Sequence, residues 1–458
     1  MKILFASRYV DPIDSRASRV IIPQARVLQD KFGVDLTILT WPYQDCWTGA
    51  LPDQVPTLAP LEVQREGLTY SVILGPASWN EVAGGNVISE KAWEAAVGYG
   101  MNLLAAQKPD IFHLHHRCGF WWLLESAQRL GIPTVYSNYD WGMACLRTNM
   151  VNSDGGLCDG VVTPEKCAEC IQNGRTRMAG RFNEALAETW VGEKILTLID
   201  RSSVIGEKFR AFGAVSKPAL WRTTTNQKRV VSIIEKLGHC VTPSEFGKRF
   251  FRQFGIAEQK VTVLPWFHDP VDVKTHRSLS DRPFTITYIG RVAPDKGVHL
   301  IFEALERLYD IPAVLLYMAG ANDAGYCTRL KEKYGSSAGK HQVVWQAWSV
   351  DWSAIVALLR TTDVIVIPST CMDNTPTTLI EAMAYRVPAI ATAIPTISEL
   401  LKKGVGYLFE YNSVESLSRA IKAAVSDQEL IRARRTVFPK ILTVHEYGAE
   451  LLRIYDNI

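Results

Sequence analysis

The chain has 458 residues, too many for one compact domain, and its 47% hydrophobic and 21% charged content is ordinary for a globular protein. A formal net charge of +3 excludes a global polyanion-binding field. No run of about 18 apolar residues occurs, which argues against a membrane-spanning helix.

MKILFAS is broken by Arg8 and reads as a first strand rather than a leader. The expected location is therefore the cytoplasm, with peripheral contact at the inner face of a membrane as an extension. Short apolar runs follow: DLTILT, YSVIL, DIFHLHH, PTVYSNY, HCVTPS and VTVLPW. They read as strands of a parallel sheet with helices between them. A helix-rich stretch is expected at about 179–237. Residues 201–252 gather Lys and Arg with few acids, and a solvated face accounts for them slightly better than contact with phosphate or lipid. Ser244 stands as an N-cap before GKRFFRQFG.

A linker is expected at 267–283, which is polar, holds two prolines and has no period. A second βα series starts with FTITYIGRV and continues through AVLLYMAG, QVVWQAW, DVIVIPS, PAIATAI and GYLFE. SVESLSRAIKAAV and the stretch after DQEL are helical. The pattern predicts an α/β protein of two facing, doubly wound Rossmann-like domains with a cleft between them. The expected bounds are 1–267, 268–435, and a last helical stretch at 436–458 that packs back on the first domain.

Chemistry-bearing residues cluster at predicted strand ends. In the second domain Gly290 lets a backbone approach a ligand, and Arg291 and Lys296 are two cations suited to a diphosphate. A surface pair of Arg291 with Asp295 is the plainer reading of the same residues. After DVIVIPS comes Asp373, then Asn374, Thr375 and Pro376, then a helix start at Thr377, and Glu381 eight positions beyond Asp373. Open N–H groups at such a start hold phosphate, and carboxylates grip sugar hydroxyls.

In the first domain, His113, His115 and His116 crowd a strand end. A satisfied core histidine, a ligand contact and a metal site are the readings, and the alternation of strand faces disfavours the metal. Asp140 ends the next strand. Arg16 and Arg19 begin the first helix and either contact an anionic acceptor or solvate the helix start. Nothing there has the G-x-G-x-x-G pattern of a dinucleotide dehydrogenase. Nine cysteines without a leader argue against a disulfide framework. Four of them, Cys145, Cys158, Cys167 and Cys170, fall in a turn-rich insertion at about 141–178. Their spacing fits a structural zinc site first, then disulfides, then free thiols, with an iron–sulfur cluster poorly supported.

GRVAPDKGVHLIFEAL and PSTCMDNTPTTLIEAMAYRVPAIAT together resemble the retaining glycosyltransferases of family 4, which have the GT-B fold. The family pattern is a Gly-Arg…Lys-Gly loop followed by Glu-x7-Glu with Glu-Ala-Met-Ala. Asp373 replaces the first Glu, Tyr139 replaces the His of a common His-Asp pair, no Gly-Gly pair follows the first strand, and Arg386 stands where a small residue is usual. The resemblance implies a sugar moved from a nucleoside-diphosphate donor to a saccharide, lipid-linked or small-molecule acceptor, with no catalytic cofactor. Under it Gly290, Arg291, Lys296, Asn374, Thr375, Thr377 and Glu381 hold the donor. Arg291, Lys296, Asp373 and His115 act at the reacting centre. His115, Asp140 and Arg16 face the acceptor, and the first domain takes the acceptor while the second takes the donor. Two rivals stand beside it: another GT-B sugar-nucleotide enzyme (an epimerase or phosphorylase) and a non-catalytic sugar-nucleotide-binding subunit. No nucleic-acid partner is expected.

Overall fold

The computed structural model describes residues 1–7, 10, 16–40, 60–73, 90–115, 120–172, 217–269, 271, 282–320, 324–346, 352–401, 405–427, 429, 431 and 438–458. The first sheet comprises β1 (Lys2–Ala6), β2 (Asp35–Thr40), β3 (Leu61–Arg65), β4 (Leu68–Val72), β5 (Ile111–Leu114), β6 (Thr134–Ser137), β7 (His239–Thr242) and β8 (Val261–Val263). Their order is β3-β4-β2-β1-β5-β6-β7-β8, with β3 antiparallel to β4 and the other pairs parallel. Its helices are α1 (Arg16–Phe32), α2 (Glu90–Gln107), α3 (Trp121–Arg129), α4 (Pro164–Gln172), α5 (Lys217–Glu235) and α6 (Glu245–Arg252). Strands β5, β6 and β7 are buried at every position. That is why they read as short apolar runs rather than alternating ones. Ser244 does cap α6, accepting from Gly247 N at 3.0 Å. Of the helix-rich stretch expected at 179–237, residues 179–216 lie outside the described residues.

The second sheet comprises β9 (Thr285–Ile289), β10 (Leu315–Ala319), β11 (Ser337–Ala338), β12 (His341–Gln346), β13 (Val364–Ile367), β14 (Ala389–Thr392) and β15 (Gly406–Phe409). Its order is β11-β12-β10-β9-β13-β14-β15, parallel apart from β11. The helices are α7 (Val298–Glu306), α8 (Ala324–Tyr334), α9 (Trp352–Thr361), α10 (Thr377–Ala384), α11 (Pro395–Leu401), α12 (Val414–Ser426) and α13 (Val444–Asp456). No helix among the described residues is long and apolar enough to cross a membrane.

Strand order reverses between β1 and β5 in one sheet and between β9 and β13 in the other. Crevices open at such switch points, beyond the carboxyl ends of the strands. His115 follows β5, Gly290 follows β9 and Asp373 lies in the loop after β13. One apolar cluster runs from the first sheet into one face of the second, and another fills the second sheet's opposite face. Helix α13 packs on the first domain. A Cβ at Gly448 would stand 2.7 Å from Val27 Cγ1, and Tyr455 Oη lies 2.6 Å from His113 Nδ1.

Candidate functional site

The loop after β13 is built around the Asp373 carboxylate. Lys296 Nζ pairs with Oδ1, and Ser369 Oγ donates to Oδ2. Both partners of the ion pair are largely buried, with side chains 14% and 17% exposed. Lys296 ends a single 3-10 turn, and Gly297 follows it at φ +62°. A Cβ on Gly297 would lie 1.9 Å from Pro368 O, so glycine lets this turn rest against the end of β13. Thr370 N donates to Asp295 O at 3.0 Å and closes the two segments on each other. Gly290 N donates to Ala319 O at 3.0 Å, and a Cβ on Gly320 would meet Gly290 O at 1.8 Å. The Arg291 side chain, 53% exposed, pairs with Asp295 at 2.6 Å. The plainer reading of Arg291 and Asp295 is thus formed, while Lys296 is turned inward.

Helix α10 starts at Thr377 with Pro376 at the N-cap and no side chain capping it. Its Ala, Leu, Met and Glu residues are strong helix formers. Thr378 Oγ1 donates to Ile289 O at 3.2 Å, which ties the helix start to the end of β9. Glu381 is buried, and Arg19 Nη1 on α1 approaches its Oε1 at 3.7 Å. Thr375 sits at φ +58°, a strained conformation for a β-branched residue. Its Oγ1 is buried without a partner among the described residues.

On the first-domain side, His115 is fully buried, with Nδ1 3.1 Å from Tyr139 Oη. Burial drives its pKa down to about 3, so the ring is neutral. His113 stacks on it at 3.9 Å and is held by Tyr455 and Ser137. Its pKa lies well below the usual value, chiefly through burial. Asp140 Oδ1 accepts from Gly142 N at 2.6 Å and braces the turn that begins the insertion. Arg16 is the first residue of α1, and its side chain lies outside the described residues, as does His116.

The two sides meet directly. Trp141 Nε1 donates to Met372 O at 2.6 Å, and Met372 N to Asn149 O at 3.0 Å. Asn374 Nδ2 donates to Asn138 O at 2.8 Å, and Trp266 Nε1 to Thr375 O at 3.1 Å. Several buried atoms along this seam have no partner among the described residues: Gln24 Oε1, His115 Nε2, Asn138 Oδ1 and Asn374 Oδ1, besides Thr375 Oγ1. Native interiors rarely strand so many polar atoms in one place. The structure therefore pairs Lys296 with Asp373, links Asn374 and Thr375 to Asn138 and Trp266 across the seam, and sets Glu381 near Arg19, while Tyr139 bonds His115 and packs on Trp266. Sequence reasoning missed Ser369, Gln24, Asn138, Trp141 and Trp266 as members of this seam. Ser369 alone had a local signal, a hydroxyl at a strand end four positions before Asp373.

The four cysteines of the insertion line one small pocket and are free thiols. The zinc expectation is not met by their arrangement. Among the described residues no three His, Cys, Asp or Glu side chains are placed to hold a metal ion. Burial pushes the Cys167 thiol up to about 12 and raises Cys145 and Cys170. The disulfide reading is likewise not what the structure has.

The two facing sheets, their switch points and the seam between them define the GT-B fold. The chain superposes along its whole length on sucrose-phosphate synthase from Thermosynechococcus elongatus, at 13% identity and TM-score 0.64, covering 98% of that chain. It matches the Anabaena protein HepE in complex with UDP over all of both chains, at 14% identity and TM-score 0.61. Residues 273–436 match the family model described as glycosyl transferases group 1. Among curated proteins, an uncharacterised glycosyltransferase of Methanocaldococcus jannaschii is 23% identical over 188 residues, 38% of this chain and 47% of its own length. A putative teichuronic acid biosynthesis glycosyltransferase of Bacillus subtilis is 31% identical over 134 residues, 29% of this chain and 31% of its own. A lipopolysaccharide 1,2-N-acetylglucosaminetransferase of Salmonella typhimurium is 24% identical over 224 residues, 44% and 57%. The chain thus spans from 31% to 57% of the length of these relatives.

Proposed function

We propose that the protein is a retaining glycosyltransferase that moves a sugar, a hexose in our reading, from a nucleoside-diphosphate donor to an acceptor hydroxyl. The observation that carries this is the Lys296–Asp373 ion pair beside α10, whose start is tied to the end of β9 and which carries the buried Glu381 farther along. An ammonium and a row of open N–H groups suit a leaving diphosphate, and a buried carboxylate suits ribose hydroxyls. Arg291 swings from Asp295 to join them. Gly290, Asn374, Thr375 and Thr377 bring backbone and small polar groups to the donor. The C1–O bond to the diphosphate breaks, the acceptor oxygen bonds C1 on the same face, and a departing phosphate oxygen takes the acceptor's proton. Positive charge from Arg291, Lys296 and α10 meets the developing negative charge without a catalytic metal. Asp373 and His115 flank the transferred sugar, with Asp140 and Arg16 on the acceptor side.

In this reading residues 1–267 take the acceptor, 268–435 hold the donor, and 436–458 tie the last helix to the first domain. The lipopolysaccharide and teichuronic acid relatives support an acceptor in polysaccharide, glycolipid or glycoconjugate biosynthesis. A donor panel tests the proposal. One nucleoside-diphosphate sugar should be hydrolysed slowly and transferred when acceptor is present, and Lys296→Ala should cut that turnover about a hundredfold or more. An isomerised sugar nucleotide formed without acceptor would make it an epimerase. Binding without turnover would make it a non-catalytic subunit.

A further inference from the structure

The buried histidine of the seam has its ring proton position written into its neighbours. Gln24, on α1 and fully buried, donates from Nε2 to Tyr139 Oη at 3.2 Å. The same hydroxyl lies 3.1 Å from His115 Nδ1. A tyrosine hydroxyl has one proton. Having accepted from Gln24, it has that proton to give, and Nδ1 is the acceptor in reach. We infer that Gln24 and Tyr139 are positioning residues that fix His115 as the Nε2–H tautomer and so present an N–H donor to an oxygen of the bound sugar.

Three observations support this direction of the relay. First, both rings are uncharged: burial lowers the His115 pKa to about 3 and lifts the Tyr139 hydroxyl well above 10, so each holds the single proton the relay needs. Second, His115 Nε2 is buried and has no partner among the described residues. An unsatisfied buried donor costs about 1–3 kcal/mol, and a ligand oxygen removes that cost. Third, the reverse arrangement is worse. Turning the Gln24 amide over strands an NH2 with two donors where the structure strands one carbonyl oxygen. The ring planes are also pinned. Phe5 packs on His115 at 4.1 Å, His113 stacks at 3.9 Å, and Trp266 lies against Tyr139 at 4.8 Å. Only the proton's place is left for hydrogen bonds to decide. The hydroxyl that decides it comes from Tyr139.

The sugar half of the inference rests on the donor reading above, and the tautomer half does not. Histidine labelled with nitrogen-15 in the full chain reports tautomers directly, with His115 assigned by its loss in His115→Gln. The expected spectrum shows His115 protonated at Nε2 and bare at Nδ1. A His115 protonated at Nδ1, or charged, overturns the relay. In Tyr139→Phe, and in the near-isosteric Gln24→Met where the first variant fails to fold, a mixture of tautomers is expected. An unchanged Nε2–H in a folded variant overturns the positioning role. For hydrolysis of UDP-glucose as probe, kcat in these variants should fall about tenfold, the scale of one hydrogen bond, while KM stays within about twofold. Unaltered kcat overturns the sugar half. Failure of the wild-type chain to hydrolyse any donor strikes the proposed function and leaves the spectroscopic result standing.

Discussion

Helix α10 closes on Arg386, which sits at φ +55°. Val387 N donates to Ala382 O at 2.8 Å and Arg386 N to Met383 O at 3.0 Å, the two bonds of a Schellman ending. The position calls for glycine, so the small residue usual there has a backbone reason that the sequence alone did not supply. An arginine in this conformation stores about 1 kcal/mol of strain. Arg386→Gly should therefore raise stability by about 0.5–1 kcal/mol, read as a shift in the urea midpoint, and a loss would show that the guanidinium holds the helix end by contacts of its own. The residues that were legible at this scale carry their signal locally. Lys296, Asp373 and Glu381 stand at fixed spacings beside strand ends. Gln24 and Asn138 were not legible, because their meaning lies in partners 115 and 236 positions away, Tyr139 and Asn374.

At the scale of elements, the strand ends that carry the site are aligned from below. Arg282 grips Asp363 with Nη1 at 2.7 Å and Nη2 at 2.8 Å, and Thr285 N donates to the same carboxylate at 2.8 Å. Asp363 is fully buried at the entry to β13, and Thr285 opens β9. The pair thus sets the register of the two strands whose far ends present Gly290 and Asp373. Asp363→Ala leaves a guanidinium that is 18% exposed, and a backbone N–H, without their partner. The expected loss is about 3 kcal/mol, seen as an earlier thermal transition, and restored donor binding at low temperature would show that the site itself is intact. The buried strands were legible as apolar runs because parallel strands are covered on both faces. The cysteine insertion was not: C-x-x-C spacing on α4 is equally that of two residues one helical turn apart, and here the four thiols line one small pocket.

For the whole molecule, the first sheet carries three buried neutral histidines that tie its stability to pH. His113 joins β5 to α13 through Tyr455, His115 faces the seam, and His239 bonds Thr262 Oγ1 on β8 at 2.8 Å. Burial lowers the pKa of all three, to about 3 for His115 and about 4 for His239. An unfolded histidine titrates near 6.5. Above that value neither state is charged and the native stability is complete. As pH falls below it, the unfolded chain takes up protons that the folded chain refuses, so stability drops with acid, by up to about 1.4 kcal/mol per pH unit for each histidine. The loss continues until pH reaches the folded values and His239 begins to charge in place. Exposed carboxylates such as Glu446, held down to about 2 by Lys440 and its own capping box, act only at the acid end of this window. Urea midpoints at pH 7.5, 6 and 5 should therefore fall progressively in the wild type. They should fall less steeply in His115→Gln, whatever that variant's stability at pH 7.5. Parallel slopes in the two proteins would mean that His115 takes a proton as readily folded as unfolded, and that the seam is open to water.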